Sequence, residues 1–257
     1  MTNIRFEAWM NGVALGSVSP DLYITEISTR PASRTTVTSE IYGRNGELEG
    51  ATKWKGTSVV ISFVIKKNTE TNRQKIVSDV AAWAERGVLE VSDRPGQQLH
   101  VVCTAPPYVP GMSSWTDPIS LTLQTMEKPF WEEKSPVVLT LSGTSGSGDL
   151  YIPGNVGDAL VDVTVTPTSG TMANCTLTVA GNTFTLNGVN ATTSDPLKVS
   201  YDDYGFLSIK RGTTSVMDKR TGASADDLKA PCGKTSEISF TASASATAVF
   251  SARGLTL

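Results

Sequence analysis

The sequence predicts a mainly β protein with one helix: an amino-terminal β-sheet domain that carries the helix, then a carboxy-terminal sandwich or jelly roll. Three observations predict it. Residues 57–67 alternate strictly, with Val59, Ile61, Phe63 and Ile65 on one side and Val60, Ser62 and Val64 on the other, the two-residue period of a strand. Residues 72–86 switch to a helical period. From Ser142 to Gly148 the chain is only serine, glycine and threonine; beyond it, short alternating runs recur between turn signals with no further helical pattern.

The elements follow in order. Apolar residues on both faces of 57–67 place that strand centrally, with cover on each side. Thr71-Asn72-Arg73-Gln74 fits a capping box, a hydroxyl at the cap with Gln three residues on. Ile76, Val77, Val80 and Trp83 then form the inward face of the helix, widened by Ala81 and Ala84. Burying those four larger side chains contributes about 6–12 kcal/mol gross, at roughly 1.5–3 per side chain. A helix of this length is marginal alone and must dock on the sheet. Gly87 stands where a helix C-terminus commonly takes positive φ.

Residues 88–91 and 99–103 read as strands joined by Asp93-Arg94-Pro95-Gly96, where Pro95 and Gly96 suit a type II turn. Residues 119–125 alternate as a half-buried strand and run into Lys128-Pro129-Phe130-Trp131. The Ser142–Gly148 run reads as a linker, which sets the expected domains at 1–141 and 142–257. In the second, strands are expected at 159–165, 175–179, 182–186, 197–201, 206–210, 237–242 and 247–252, with a tight turn at Ala180-Gly181-Asn182.

Bulk properties narrow the function. A net charge of −3 and a pI near 5.3 argue against a non-specific DNA binder, which needs a basic stripe to neutralise phosphates. The amino terminus has no basic region followed by a long apolar run, and no stretch is long and apolar enough for membrane insertion. Cys103, Cys175 and Cys232, three at wide spacings, suit buried reduced thiols better than a disulfide framework.

No catalytic constellation survives geometric checks. His100 is the only histidine, and Cys103 lies at an odd strand offset from it, on the opposite face. Gly143-Thr144-Ser145-Gly146-Ser147 lacks the final glycine of a nucleophile elbow. Gly233-Lys234-Thr235 resembles the end of a phosphate loop, but Leu228 stands where that motif needs glycine. The acidic pairs Glu132-Glu133, Asp202-Asp203 and Asp226-Asp227 follow no calcium-loop spacing and read as solvated charge. No metal, cofactor or catalytic residue is therefore expected. One binding alternative stands: Trp131, Tyr201 and Tyr204, with Trp115 and Tyr151, as a sugar-stacking surface on a carbohydrate-binding β-sandwich.

The order of motifs resembles the distal tail protein (Dit) family of long-tailed phages. Ile41-Tyr42-Gly43-Arg44-Asn45-Gly46-Glu47-Leu48 is similar to the family's apolar-x-Gly-Arg-x-Gly-x-Leu stretch. The strand at 57–67, the helix ending in Trp83 and Ser92-Asp93-Arg94-Pro95-Gly96 resemble the elements that follow it. Lys128-Pro129-Phe130-Trp131 resembles the Asp-Pro-Phe that closes the first domain, with Lys128 in place of the acid. Asn155-Val156-Gly157 resembles the start of a galectin-like second domain.

The resemblance implies a non-enzymatic protein of the virion tail tip, assembled in the bacterial host cytoplasm. It implies a homo-oligomer, a hexameric ring closed by the first domain, between the tail tube protein and the baseplate. The second domain would carry receptor-binding proteins, and genome DNA would cross the lumen without specific binding.

Overall fold

Strong alternation and abundant turn residues yield an almost wholly antiparallel β structure, with one α-helix among the described residues. The computed structural model describes residues 6–40, 47–66, 69–109, 117–126, 128–202 and 205–257. Its two compact units are Met1–Trp131 with Leu257, and Glu132–Thr256. The division falls before the expected boundary at 141.

The first unit holds β1 (Ala8–Met10), β2 (Val13–Ala14), β3 (Leu22–Arg30), β4 (Ser33–Glu40), β5 (Glu47–Lys55), β6 (Ser58–Ile65), α1 (Glu70–Ala84), β7 (Arg86–Val91), β8 (Gln97–Ala105) and β9 (Ile119–Gln124). Its main sheet runs β2-β1-β7-β8-β9-β6-β3, while among the described residues β4 and β5 pair only with each other. β6 lies between β3 and β9, as its two apolar faces require. Val59, Ile61, Phe63 and Ile65 are fully buried; Val60, Ser62 and Val64 on the other face are half-buried.

The helix begins two residues earlier than its periodicity indicates. Thr69, in extended backbone (φ −69°, ψ 159°), is the cap, and its hydroxyl accepts from the Asn72 N–H at 3.4 Å. Thr71 therefore sits inside the first turn. The C-terminus also differs: α1 ends at Ala84, and Gly87 lies within β7. A Cβ on Gly87 would stand 2.4 Å from the Asn11 amide, so glycine here makes room for a side chain. Asn11 accepts from the Val88 N–H at 2.9 Å and donates to the Arg86 carbonyl at 3.4 Å. With Gly12 it forms the β1–β2 turn, at φ +52° and +79°. The Arg94–Gln97 turn is as expected: Gly96 has φ +82°, and the Gln97 N–H donates to the Arg94 carbonyl.

The second unit holds β10 (Trp131–Glu133, beginning at the division), β11 (Val137–Ile152), β12 (Asp158–Pro167), β13 (Met172–Val179), β14 (Asn182–Ala191), β15 (Leu197–Tyr201), β16 (Leu207–Arg211), β17 (Thr214–Ser215), β18 (Lys229–Pro231), β19 (Lys234–Ala252) and β20 (Leu255–Thr256). The strands expected at 237–242 and 247–252 are one strand, β19. Its first part, Ile238–Ala242, pairs with β13, and its second, Ala246–Ala252, pairs with β12. β19 thus turns the corner between two sheet halves, β14-β13 and β12-β15-β16-β17. Phe240, Leu177 and Phe184 from one half share a core with Phe250, Val163 and Val199 from the other.

The expected linker is the partner of that corner strand. Ser142–Gly148 lies inside β11, which pairs with β19 from Val137↔Ala252 to Ile152↔Lys234, with a bulge between Gly143 and Ser145. If β11 were straight, Leu141 and Gly148 would be about 23 Å apart. Instead a Cβ on Gly148 would lie 3.3 Å from Leu141, so the ribbon folds over itself. A Cβ on Gly146 would meet the Phe240 ring at 3.1 Å. These glycines answer close packing, not a need for flexibility.

Candidate assembly interface

Among the described residues, the chemistry-bearing candidates sit in separate structural roles. His100 is half-buried in β8 opposite Val88. All three cysteines are free, and burial pushes each thiol up, that of Cys175 to about 12, which suppresses the nucleophilic thiolate. Among the described residues no cluster of His, Cys, Asp or Glu could hold a metal, and no helix is long and apolar enough to cross a membrane. Gly233, at φ +73°, turns the chain into β19, so the phosphate-loop look-alike opens a strand. The Asp202 carboxylate accepts from the Phe206 N–H at 2.8 Å and closes a loop.

Of the aromatic set, the described Trp131 and Tyr201 are not open stacking faces. Trp131 is fully buried, with the Arg94 guanidinium 5.1 Å from its ring centroid, so no sugar can lie on it. Tyr201 is half-buried, and its hydroxyl accepts from the Leu228 N–H at 2.6 Å; burial also holds its phenol above the ordinary range. Tyr204 and Trp115 lie outside the described residues. Tyr151 is 55% exposed on β11.

The helix face is split between core and rim. Ile76, Val77 and Val80 are buried with Phe63, Leu99 and Leu121, and Ala84 and Arg73 turn inward beside them. Trp83 is only half-buried: its ring packs on the core while its Nε1–H donates to the Val13 carbonyl at 2.8 Å, fastening α1 to β2.

What the first unit offers outward is backbone. β3 closes one end of the main sheet with an outer edge that carries Glu26, Arg30 and a bulge between Ile24 and Glu26. β4 and β5 form a ribbon paired from Ser33↔Lys55 to Glu40↔Glu47, with a register shift between Thr36 and Thr38. Its base is held by a stack: Arg34 lies 5.1 Å over the Trp54 ring, which meets Phe130 edge-on at 5.1 Å. A two-stranded ribbon is marginal in water by itself. Sequence reading missed this ribbon, although Asn45-Gly46 between two threonine-bearing runs is a hairpin signal.

Nearly end to end, the chain is similar in fold to a solved phage protein. The Dit protein of phage SPP1 aligns over 96% of this chain and 98% of its own, with a TM-score of 0.70 and 12% identity. This chain has the Dit fold. A chain of the phage p2 baseplate in its activated conformation aligns over 97% of both chains, with a TM-score of 0.49 and 9% identity. No protein-family model matches the sequence, and no curated protein matches it. The Dit fold accounts for both units, the helix-bearing sheet and the sandwich together, since the SPP1 alignment spans nearly the whole chain.

Proposed function

We propose that this chain is a structural, non-enzymatic protein of a phage tail tip. Its first unit, through the β3 edge and the β4–β5 ribbon, joins copies of itself head to tail into a ring of six. The ring sits between tail tube and baseplate, with the genome passing through its lumen. The second unit, a galectin-like sandwich, faces outward as a platform for receptor-binding proteins. The observation that carries this reading is the end-to-end fold likeness to SPP1 Dit, described as a paradigm of hub adsorption apparatus in phages that infect Gram-positive hosts. Physical support comes from the first unit: heterologous contacts that close a ring remove open sheet edges.

Electron microscopy with mass photometry tests it. The expected result is annular particles of six times the 27.3 kDa chain, alone or with tail tube protein added. A chain that stays monomeric under both conditions overturns the ring.

A further inference from the structure

Long strand edges in the second unit are closed in different ways. The outer edge of β14 is covered by the 221–225 segment: Thr221 and Ala225 N–H groups donate to the Thr185 and Thr183 carbonyls at 2.9 Å. Ser224 Oγ accepts from the Thr185 N–H at 3.0 Å. β17 and β18 are two and three residues long, too short to template another strand.

β11 has none of these protections. It is sixteen residues long and, among the described residues, pairs with β19 alone. Between Val137 and Gly148 it carries no charged residue and no proline, the usual guards of an open edge. Its register runs unbroken from Val137↔Ala252 to Gly143↔Ala246, and the bulge at Gly143, with φ +125°, ends this regular stretch. Val138 is 56% exposed there, and Thr140 and Ser142 are exposed on the same face.

We infer that the outer edge of β11 from Val137 to Gly143 pairs antiparallel with the same strand of a second copy. The backbone groups require an extended chain as occupant. The side chains indicate which one. A two-fold axis at Thr140 sets Val138 opposite Ser142, Leu139 opposite Leu141 and Thr140 opposite its own copy. Every cross-strand pair is neutral, and β-branched and hydroxyl pairs of this kind favour pairing. A charged segment would find no counter-charge on this edge. The contact is isologous and belongs to the second unit, so it does not rest on ring closure by the first.

Sedimentation velocity over a concentration series tests the pairing on the full chain, with Thr140→Lys and Thr140→Val beside wild type. Thr140 is exposed, so both variants should keep the wild-type circular dichroism spectrum. The wild type should show a species of twice the mass of its underlying assembly, two chains or two rings. Thr140→Lys sets two ammonium groups against each other at the axis and should weaken this doubling at least tenfold, while Thr140→Val should retain it. Amides within 138–142 should exchange more slowly in the doubled species.

Absence of doubling in the wild type, doubling that Thr140→Lys leaves unchanged, or protection of 138–142 only when a different tail protein is added overturns self-pairing. Loss of six-fold rings with doubling intact counts against the ring alone.

Discussion

The two units cover an apolar sheet by different means. In the first, a separate element does it: α1 lays Ile76, Val77 and Val80 into the core of a sheet built from β6, β8 and β9. In the second, the sheet covers itself, because β11 and β19 bend together and bring Phe240 and Phe250 into one core from two halves. A helix can be deleted or loosened as a part. A shared strand cannot, since both halves lose their edge at once.

This difference can be tested optically, because all five tryptophans precede Glu132, where the second unit begins. The largest expected effect is Phe240→Ala. Phe240 is buried beside the corner, and its truncation should cost about 3–5 kcal/mol in the second unit. In a denaturant titration, far-ultraviolet circular dichroism should show that loss while the tryptophan-reported transition stays in place. A shift of both transitions by the same amount would mean that the units unfold as one.

Legibility in the sequence follows the same division. β6, α1, the Arg94–Gln97 turn and β9 were readable because each has one strong local signal: a period, a cap or a Pro-Gly pair. The exact cap was not, since Thr69 and Thr71 are both suitable hydroxyls and only backbone conformation distinguishes them. Ser142–Gly148 was misread because composition cannot separate a flexible linker from a strand whose glycines make room for Leu139, Leu141 and Phe240. Trp131 and Tyr201 looked like binding residues because an isolated aromatic carries no sequence sign of burial. The proposed interface was the least legible: an open edge is defined by which neighbour is missing, a property of topology.

A smaller effect probes the helix. Trp83→Ala should cost roughly 2 kcal/mol, well below the 3–5 of a fully buried aromatic, because the ring is half-exposed and one hydrogen bond is lost. It should appear in the tryptophan-reported transition and leave the second unit unchanged. A cost near 4 kcal/mol would show that α1 is as integral to its unit as β19 is to the other.

The smallest expected effect is a gain. Ala180 turns between β13 and β14 at φ +47°, a conformation that disfavours alanine and suits asparagine. Ala180→Asn keeps the N–H that donates to the Glu237 carbonyl and should stabilise the second unit by about 0.5–1 kcal/mol. A neutral or negative result in chemical denaturation would indicate that the turn is not limiting.

The long reach of β19 has a kinetic consequence. Val137 meets Ala252 across more than a hundred intervening residues, so the sandwich gains its closing contacts only after β19 has left the ribosome. Until then β12 and β13 wait with open flanks, the state in which nascent chains most readily find wrong partners. The first unit can already be settled at that stage. Synthesis rate and chaperone supply should therefore govern the yield of the sandwich far more than that of the helix-bearing sheet.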